Sequence, residues 1–177
     1  MKMVFDFVIN KEEFVVFDHV KKRYAVRAII IKKNKILMIK TSQGDYKFPG
    51  GGVIGEESHE EALKREVFEE SGYKINPAEL IGKVVEKRAD QLEKNKGFEM
   101  VSFYYKCFLD DAKKKSAQTL DAYEKELDFR PYWIGIQHAF DENKKQEKKP
   151  NSMPWVQRET EVLSHLMINK KKLNKFI

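Results

Sequence analysis

Between positions 51 and 73 the chain reads GGVIGEESHEEALKREVFEESGY, and seven of those 23 residues are glutamate. Glu66, Glu69 and Glu70 would share one helical face, because positions i, i+3 and i+4 lie within a turn of one another. Three carboxylates held that close repel unless positive charge sits among them. Arg65 supplies one such charge. A divalent cation supplies more: Mg²⁺ takes hard oxygen ligands and binds readily beside substrate phosphates. The ordinary alternative is a solvated acidic face. That account suits Glu60 and Glu61, which fall in a first helical turn where the dipole favours negative charge.

To present carboxylates along one edge, the segment must be a helix with its other side buried. Ser58 followed by Glu61 forms a capping-box pair and Gly72 is a natural stop, so the pattern predicts a helix over 59–71. Ala62, Leu63 and Val67 can anchor it. Ahead of it, Phe48-Pro49-Gly50-Gly51-Gly52 is rigid and then flexible, a punctuation between elements.

The full spacing narrows the chemistry. Gly51 is followed by five residues and Glu57, then by seven residues and Arg65-Glu66-Val67-Phe68-Glu69-Glu70-Ser71-Gly72-Tyr73. This order resembles the Nudix box, the signature of the Nudix hydrolases. Every fixed position is matched, with Tyr73 where that family usually carries an aliphatic residue. The FPGG run, the strand order and a later strand and helix extend a looser resemblance over about residues 23–145. The N-terminal extension, FEMVSFYYKCFL and RETEVLSHLM resemble segments of poorly characterised bacterial Nudix proteins, which favours a nucleotide-hydrolysing enzyme of low specificity.

The resemblance implies an α/β/α sandwich on a mixed sheet. It also implies hydrolysis of a nucleoside diphosphate linked to another group, with Mg²⁺ or Mn²⁺ as cofactor. On the matching positions, Glu66, Glu69 and Glu70 resemble the metal-binding carboxylates, and Gly50 the residue whose carbonyl joins them. Glu57 resembles the glutamate that supports the metal or its water shell, and Arg65 the arginine that holds a catalytic glutamate by an ion pair. Many relatives are homodimers, and the resemblance carries that expectation here.

The chemistry suits these residue types. Pyrophosphate oxygens repel a nucleophile; metal ions neutralise them and lower the pKa of the attacking water, and a carboxylate then takes its proton. The candidate bases are Glu66 inside the box and, outside it, Glu126, which is preferred over Glu124 and Glu99. Phosphate contacts are expected from Arg27 and Lys40, on strands that lead toward the cleft. A base could stack on Phe48, Tyr46, Tyr132 or Trp133, although the commoner role of each of these aromatics is core packing. His59 is expected at the surface and His165 in packing on the last helix. Cys107, in an apolar strand, is expected to behave as a small core residue.

Composition bounds the alternatives. A chain of 177 residues suits one domain, with an N-terminal extension at 1–22 and a lysine-rich loop and helix at 146–177. A single cysteine excludes an intrachain disulfide, the N-terminus makes a poor signal peptide, and no run is long enough for a membrane span, so a cytoplasmic protein is expected. Residues 143–177 hold nine Lys/Arg against three Glu, an excess equal to the whole net charge of +6. That basic end makes an RNA 5′ end the alternative partner to a small nucleotide. A nucleotide sensor that does not cleave is the other alternative, although sensors usually carry damaged boxes.

The remaining pattern is mixed α/β. Strands are expected at about 23–32 and 35–41, turned through Lys33-Asn34, and at 80–89 and 99–109. An exposed loop should follow over 110–123, then a strand in ELDFRPYWIGI, a helix near 135–143, a linker in KKQEKKPNSMP, and a C-terminal amphipathic helix ending in lysines.

Overall fold

The computed structural model describes residues 3–10, 17–90, 92–93, 95–111 and 116–169. In chain order its elements are β1 (Phe5–Asn10), β2 (Val20–Ile29), β3 (Ile31–Lys32), β4 (Lys35–Lys40), β5 (Tyr46–Lys47), α1 (His59–Ser71), β6 (Ile75–Ala89), β7 (Gly97–Leu109), α2 (Ala122–Glu126), β8 (Arg130–Ile134), α3 (Ile136–Glu147) and α4 (Val156–Ile168).

One sheet runs β1-β6-β7-β2. The outer pairs are parallel and β6 with β7 antiparallel, so the sheet is mixed. A second sheet centres on β4, which pairs antiparallel with β3, β5 and β8. A strand flanked on both edges should be apolar throughout, and Ile36, Leu37, Met38 and Ile39 are all fully buried. Lys33 and Asn34 both have positive φ, which is the backbone of a tight hairpin turn whose twist matches its strands.

Alternation along β2 divides the core and aims the site. Val26, Ala28 and Ile30 pack with Ala62, Leu63 and Val67 of α1. Ile29, on the opposite face, belongs to a second cluster with Phe5, Tyr104 and Val162, Leu163 and Leu166 of α4. Helices therefore cover both faces, giving the α/β/α layering. Successive side chains of a strand point to opposite faces, so Arg23 and Arg27 follow Ile29, away from α1.

The structure adds detail to the sequence expectation in three segments. Of the loop 110–123, residues 112–115 lie outside the described residues. Ser116, Ala117 and Thr119 are exposed, as expected, and the segment is tied to the end of α1: the Ser116 N–H donates to the Gly72 carbonyl (2.8 Å) and the Thr119 N–H to that of Glu69 (2.9 Å). The last carbonyls of a helix lack internal donors, and this segment provides them. The start of KKQEKKPNSMP continues α3 to Glu147, since Lys, Gln and Glu are good helix formers and Lys144 pairs with Glu147 at 2.9 Å. The N-terminal extension contributes β1, parallel to β6. The final lysines, Lys170 to Lys172, lie outside the described residues. No helix among the described residues is long and apolar enough to cross a membrane.

Candidate active site

The loop between β5 and α1 approaches β2 so closely that glycine is required. Gly50 has φ +135°, and a Cβ there would sit 2.1 Å from the Val26 carbonyl oxygen. Arg27, buried on β2, donates to the Gly50 carbonyl. The Gly50 N–H donates to Glu70 Oε2 at 2.9 Å. Glu70 is 1% exposed and forms an ion pair with Lys47, itself 6% exposed. Burial pushes the Glu70 carboxyl up from the usual glutamate value, against the downward pull of the Lys47 ammonium.

At Gly51 a Cβ would fall 2.2 Å from Glu66 Oε2, so the carboxylate lies directly on the loop backbone. This makes Gly51→Ala informative. The obstruction is the end of a flexible side chain, so the fold should persist with Glu66 displaced. A misplacement of about 1 Å can reduce turnover about 10²-fold. The expected result is that loss in kcat with little change in melting temperature; wild-type kcat in the variant would remove Glu66 from the chemistry.

Arg65 organises the rest of the box. Its Nε and Nη2 donate to the two oxygens of Glu57 at 3.2 and 2.6 Å, a bidentate fork. Its Nη1 donates to Glu66 at 2.8 Å and to Glu69 at 3.3 Å, and Nη2 also reaches the Gly52 carbonyl at 3.1 Å. The guanidinium hydrogen bonds hold the Glu57 carboxyl below its usual value, and Glu57 in turn raises that of Arg65. Lysine could not span these four groups, since only the planar fork meets a carboxylate with two parallel bonds.

Oxygens of Glu66, Glu70 and Glu124 lie within 4.8 Å of one another. Glu69 borders the same cleft, but its carboxylate turns to Arg65 and its side chain is 38% exposed. Glu124 comes from α2, where Asp121 caps the helix and receives a reciprocal bond: the Glu124 N–H donates to Asp121 Oδ1 (2.8 Å) and the Asp121 N–H to Glu124 Oε2 (3.0 Å). Burial raises the Glu124 carboxyl above its usual value, and the Glu70 charge adds to that rise. Glu126 differs from the sequence expectation: it is exposed and stands outside the residues that line the cleft. On a helix, two residues apart means opposite sides, so Glu124 and Glu126 cannot both face the cleft. Glu99 pairs with Lys22 and Lys87 at 3.3 and 3.8 Å and is also outside the lining.

The cleft holds about 790 Å³. Arg23, Arg27 and Arg88 make it basic on the sheet side, while Tyr123, Phe129 and Trp155 face it from α2, the start of β8 and the start of α4. Trp155 donates its indole N–H to Asp45 at 2.6 Å and meets the Tyr123 and Phe129 rings edge-on. The Arg88 guanidinium lies 4.2 Å over the Phe98 ring.

Two expected substrate contacts are elsewhere. Phe48 is fully buried, edge-on to Tyr104 at 5.5 Å, and serves the core. Lys40 is exposed at the end of β4, with its ammonium 5.8 Å from both the Tyr46 and Tyr132 rings, outside the cleft lining. His59 is half-buried rather than at the surface, 2.8 Å from the Tyr105 hydroxyl. His165 stacks on Phe7 as packing. Burial pushes the Cys107 thiol up to about 12, which fits a core residue. The arginines that sequence reasoning passed over carried a signal: Arg23 and Arg88 each fall an even number of residues from a cleft residue on their own strand.

The donor set is hard throughout: three carboxylates converge, and the Lys47 ammonium that pairs with Glu70 also reaches the Gly50 carbonyl, so an oxygen set of the kind Mg²⁺ or Mn²⁺ takes is assembled there. Comparison with curated proteins finds no match. Among solved structures, the chain resembles the E. coli ORF135 protein with a TM-score of 0.51 and 20% identity, over 85% of this chain and 92% of that one. It also resembles the MutT protein from Methanosarcina mazei Go1, with a TM-score of 0.50 and 19% identity, over 84% and 96% of the two chains. These likenesses establish the fold. The sequence matches the NUDIX domain family over residues 21–156, most of its length, and the chain accordingly belongs to that family as a Nudix hydrolase.

Proposed function

We propose that this enzyme hydrolyses a pyrophosphate bond in a free nucleotide, a nucleoside triphosphate or a derivative of one. The observation that carries this reading is the convergence of Glu66, Glu70 and Glu124 opposite a basic wall, in a cleft that aromatic rings also border. Such a cleft suits a small ligand with an anionic chain and a flat base.

The family typically uses a divalent metal. Here Glu66, Glu70, Glu124 and the Gly50 carbonyl would hold Mg²⁺ or Mn²⁺, with Glu57 and Glu69 supporting them through Arg65. Bound there, the metal would neutralise phosphate oxygens and lower the pKa of a coordinated water.

The chain's own residues do the rest. Arg23 and Arg27 bind phosphate oxygens, and Arg88 extends the basic wall toward the mouth. Tyr123 and Trp155 stack the base. Glu124 accepts the proton of the attacking water, because its carboxylate lines the cleft beside those of Glu66 and Glu70.

The Glu124→Gln and Glu126→Gln pair separates the two acidic residues. The first should lower kcat by about 10²–10⁴-fold, the usual contribution of a positioned base. The second should leave kcat near wild type. Equal effects would remove Glu124 from the reaction.

The substrate is tested by a hydrolysis panel with Mg²⁺ and with Mn²⁺. It includes ordinary and oxidised nucleoside triphosphates, ADP-ribose, a nucleotide sugar, a dinucleoside polyphosphate and 5′-triphosphate RNA. Cleavage of a nucleoside triphosphate or its derivative by wild type and not by Glu124→Gln supports the reading. Cleavage of RNA alone, or of none of the panel, overturns it.

A further inference from the structure

Lys47 has no part in the Nudix box, yet its ammonium occupies the ground assigned above to the metal. It pairs with Glu70 Oε1 and lies 3.4 Å from the Gly50 carbonyl oxygen. It also lies 4.7 Å from the centre of the Phe129 ring. The residue is 6% exposed, so a flexible and strongly hydrated cation has been taken out of water to reach these atoms. Burying an ion pair is often no better than packing apolar groups in its place. Stability alone therefore gives a weak reason for a lysine here.

Neither oxygen needs the lysine for its position. Glu70 is tethered by the Gly50 N–H at 2.9 Å, and the Gly50 carbonyl already accepts from Arg27. The ammonium can leave without releasing either group. Lys47 also lines the cleft, and its four-carbon stem gives it reach into that space.

Resting on the metal reading, we propose that Lys47 is a positioning residue that stands in for the divalent cation: it neutralises Glu70 in the metal-free enzyme and gives way when Mg²⁺ or Mn²⁺ binds. A monovalent and a divalent cation repel strongly at contact distance. Loading the metal therefore displaces the ammonium from Glu70, and Lys47 weakens metal binding while the cleft holds no phosphate. Substrate phosphates offer the displaced ammonium a new partner. Nucleotide and metal then strengthen each other's binding, as linkage requires.

The test is Mn²⁺ binding to the full chain without nucleotide, followed by the resonance signal of free Mn²⁺, together with melts in the presence and absence of Mn²⁺. Lys47→Gln is the main variant, because its amide can still donate to Glu70; Lys47→Met repeats the measurement and Lys47→Arg restores the charge. Lys47→Gln and Lys47→Met should bind Mn²⁺ about tenfold more tightly or better, since a competing charge at contact is gone. Lys47→Arg should bind like wild type. Metal-free Lys47→Gln should melt below wild type, with the deficit closing at saturating Mn²⁺.

Unchanged or weaker Mn²⁺ binding in Lys47→Gln, with wild type binding normally, overturns this proposal alone. A melting deficit that Mn²⁺ does not close also overturns it and makes the lysine structural. Failure of folded wild type to bind Mn²⁺ overturns both this proposal and the metal reading beneath it.

Discussion

Glu66→Gln is expected to lower kcat by at least about 10²-fold while the protein melts at or above the wild-type temperature. The substitution keeps the shape of the side chain, and its amide oxygen can still accept from Arg65 Nη1, now 2.8 Å from Glu66. What disappears is one negative charge from three carboxylates whose oxygens lie within 4.8 Å. Those charges repel one another, and relief of that repulsion offsets the loss of the Glu66 charge beside Arg65. With substrate and metal present, the charge is what the site requires, and Mn²⁺ affinity should fall by about 10–100-fold or more. Loss of activity at no cost in stability is the mark of a residue held for function rather than for folding. Steady-state kinetics with Mg²⁺, a Mn²⁺ titration and a melt decide the matter on one preparation. Wild-type kcat and Mn²⁺ affinity in the variant would remove Glu66 from the metal site.

The box was legible because it is local. Ser58 and Glu61 cap α1, Gly72 closes it, and the helical period puts Glu66 and Glu70 toward one cleft. Glu124 was less legible, since nothing in spacing links α2 to α1. A clue was nevertheless present in Asp121 and Glu124, a capping-box pair that fixes the helix start and so decides which glutamate turns inward. Glu69 illustrates the opposite case. It matches the motif, yet Arg65 draws its carboxylate aside. Phe48 takes the packing role that is commoner for such an aromatic, while Lys40 departs from the expected phosphate contact, because pairing partners decide where a strand residue points. Phe48 follows β5 into the core, and Lys40 ends β4 beside the Tyr132 ring. The basic wall follows from alternation along β2 and β6, a period-two signal that a search for motifs passes over.

The terminal helix hid the most, and Arg158→Met should show why. As sequence, WVQRETEVLSHLM reads as part of an amphipathic helix that ends in lysines, with nothing to mark any of its charges as buried. In the structure Arg158 is 3% exposed and Glu159 fully buried. Arg158 Nη1 donates to Glu86 of β6 at 2.5 Å, and Nη2 to Glu159 at 2.6 Å. The second oxygen of Glu159 accepts from the Phe48 N–H at 3.4 Å, so the network ties α4 to both the sheet and the loop ahead of the box. Arg158→Met removes the cation and leaves Glu86 and Glu159 buried without it. Breaking a buried pair in this way costs about 3–5 kcal/mol, which for a domain of this size is a fall in Tm on the order of 10 °C. Thermal or urea denaturation measures it. The triple change Glu86→Gln, Arg158→Met and Glu159→Gln should recover much of the loss, because removing all three charges also removes their desolvation cost. A single variant destabilised by less than about 1 kcal/mol would show that the carboxylates find other compensation. Recovery of Tm in the triple variant, with kcat below wild type, would mean that this network, whose Glu86 and Arg158 line the cleft, shapes the cleft as well as holding the fold.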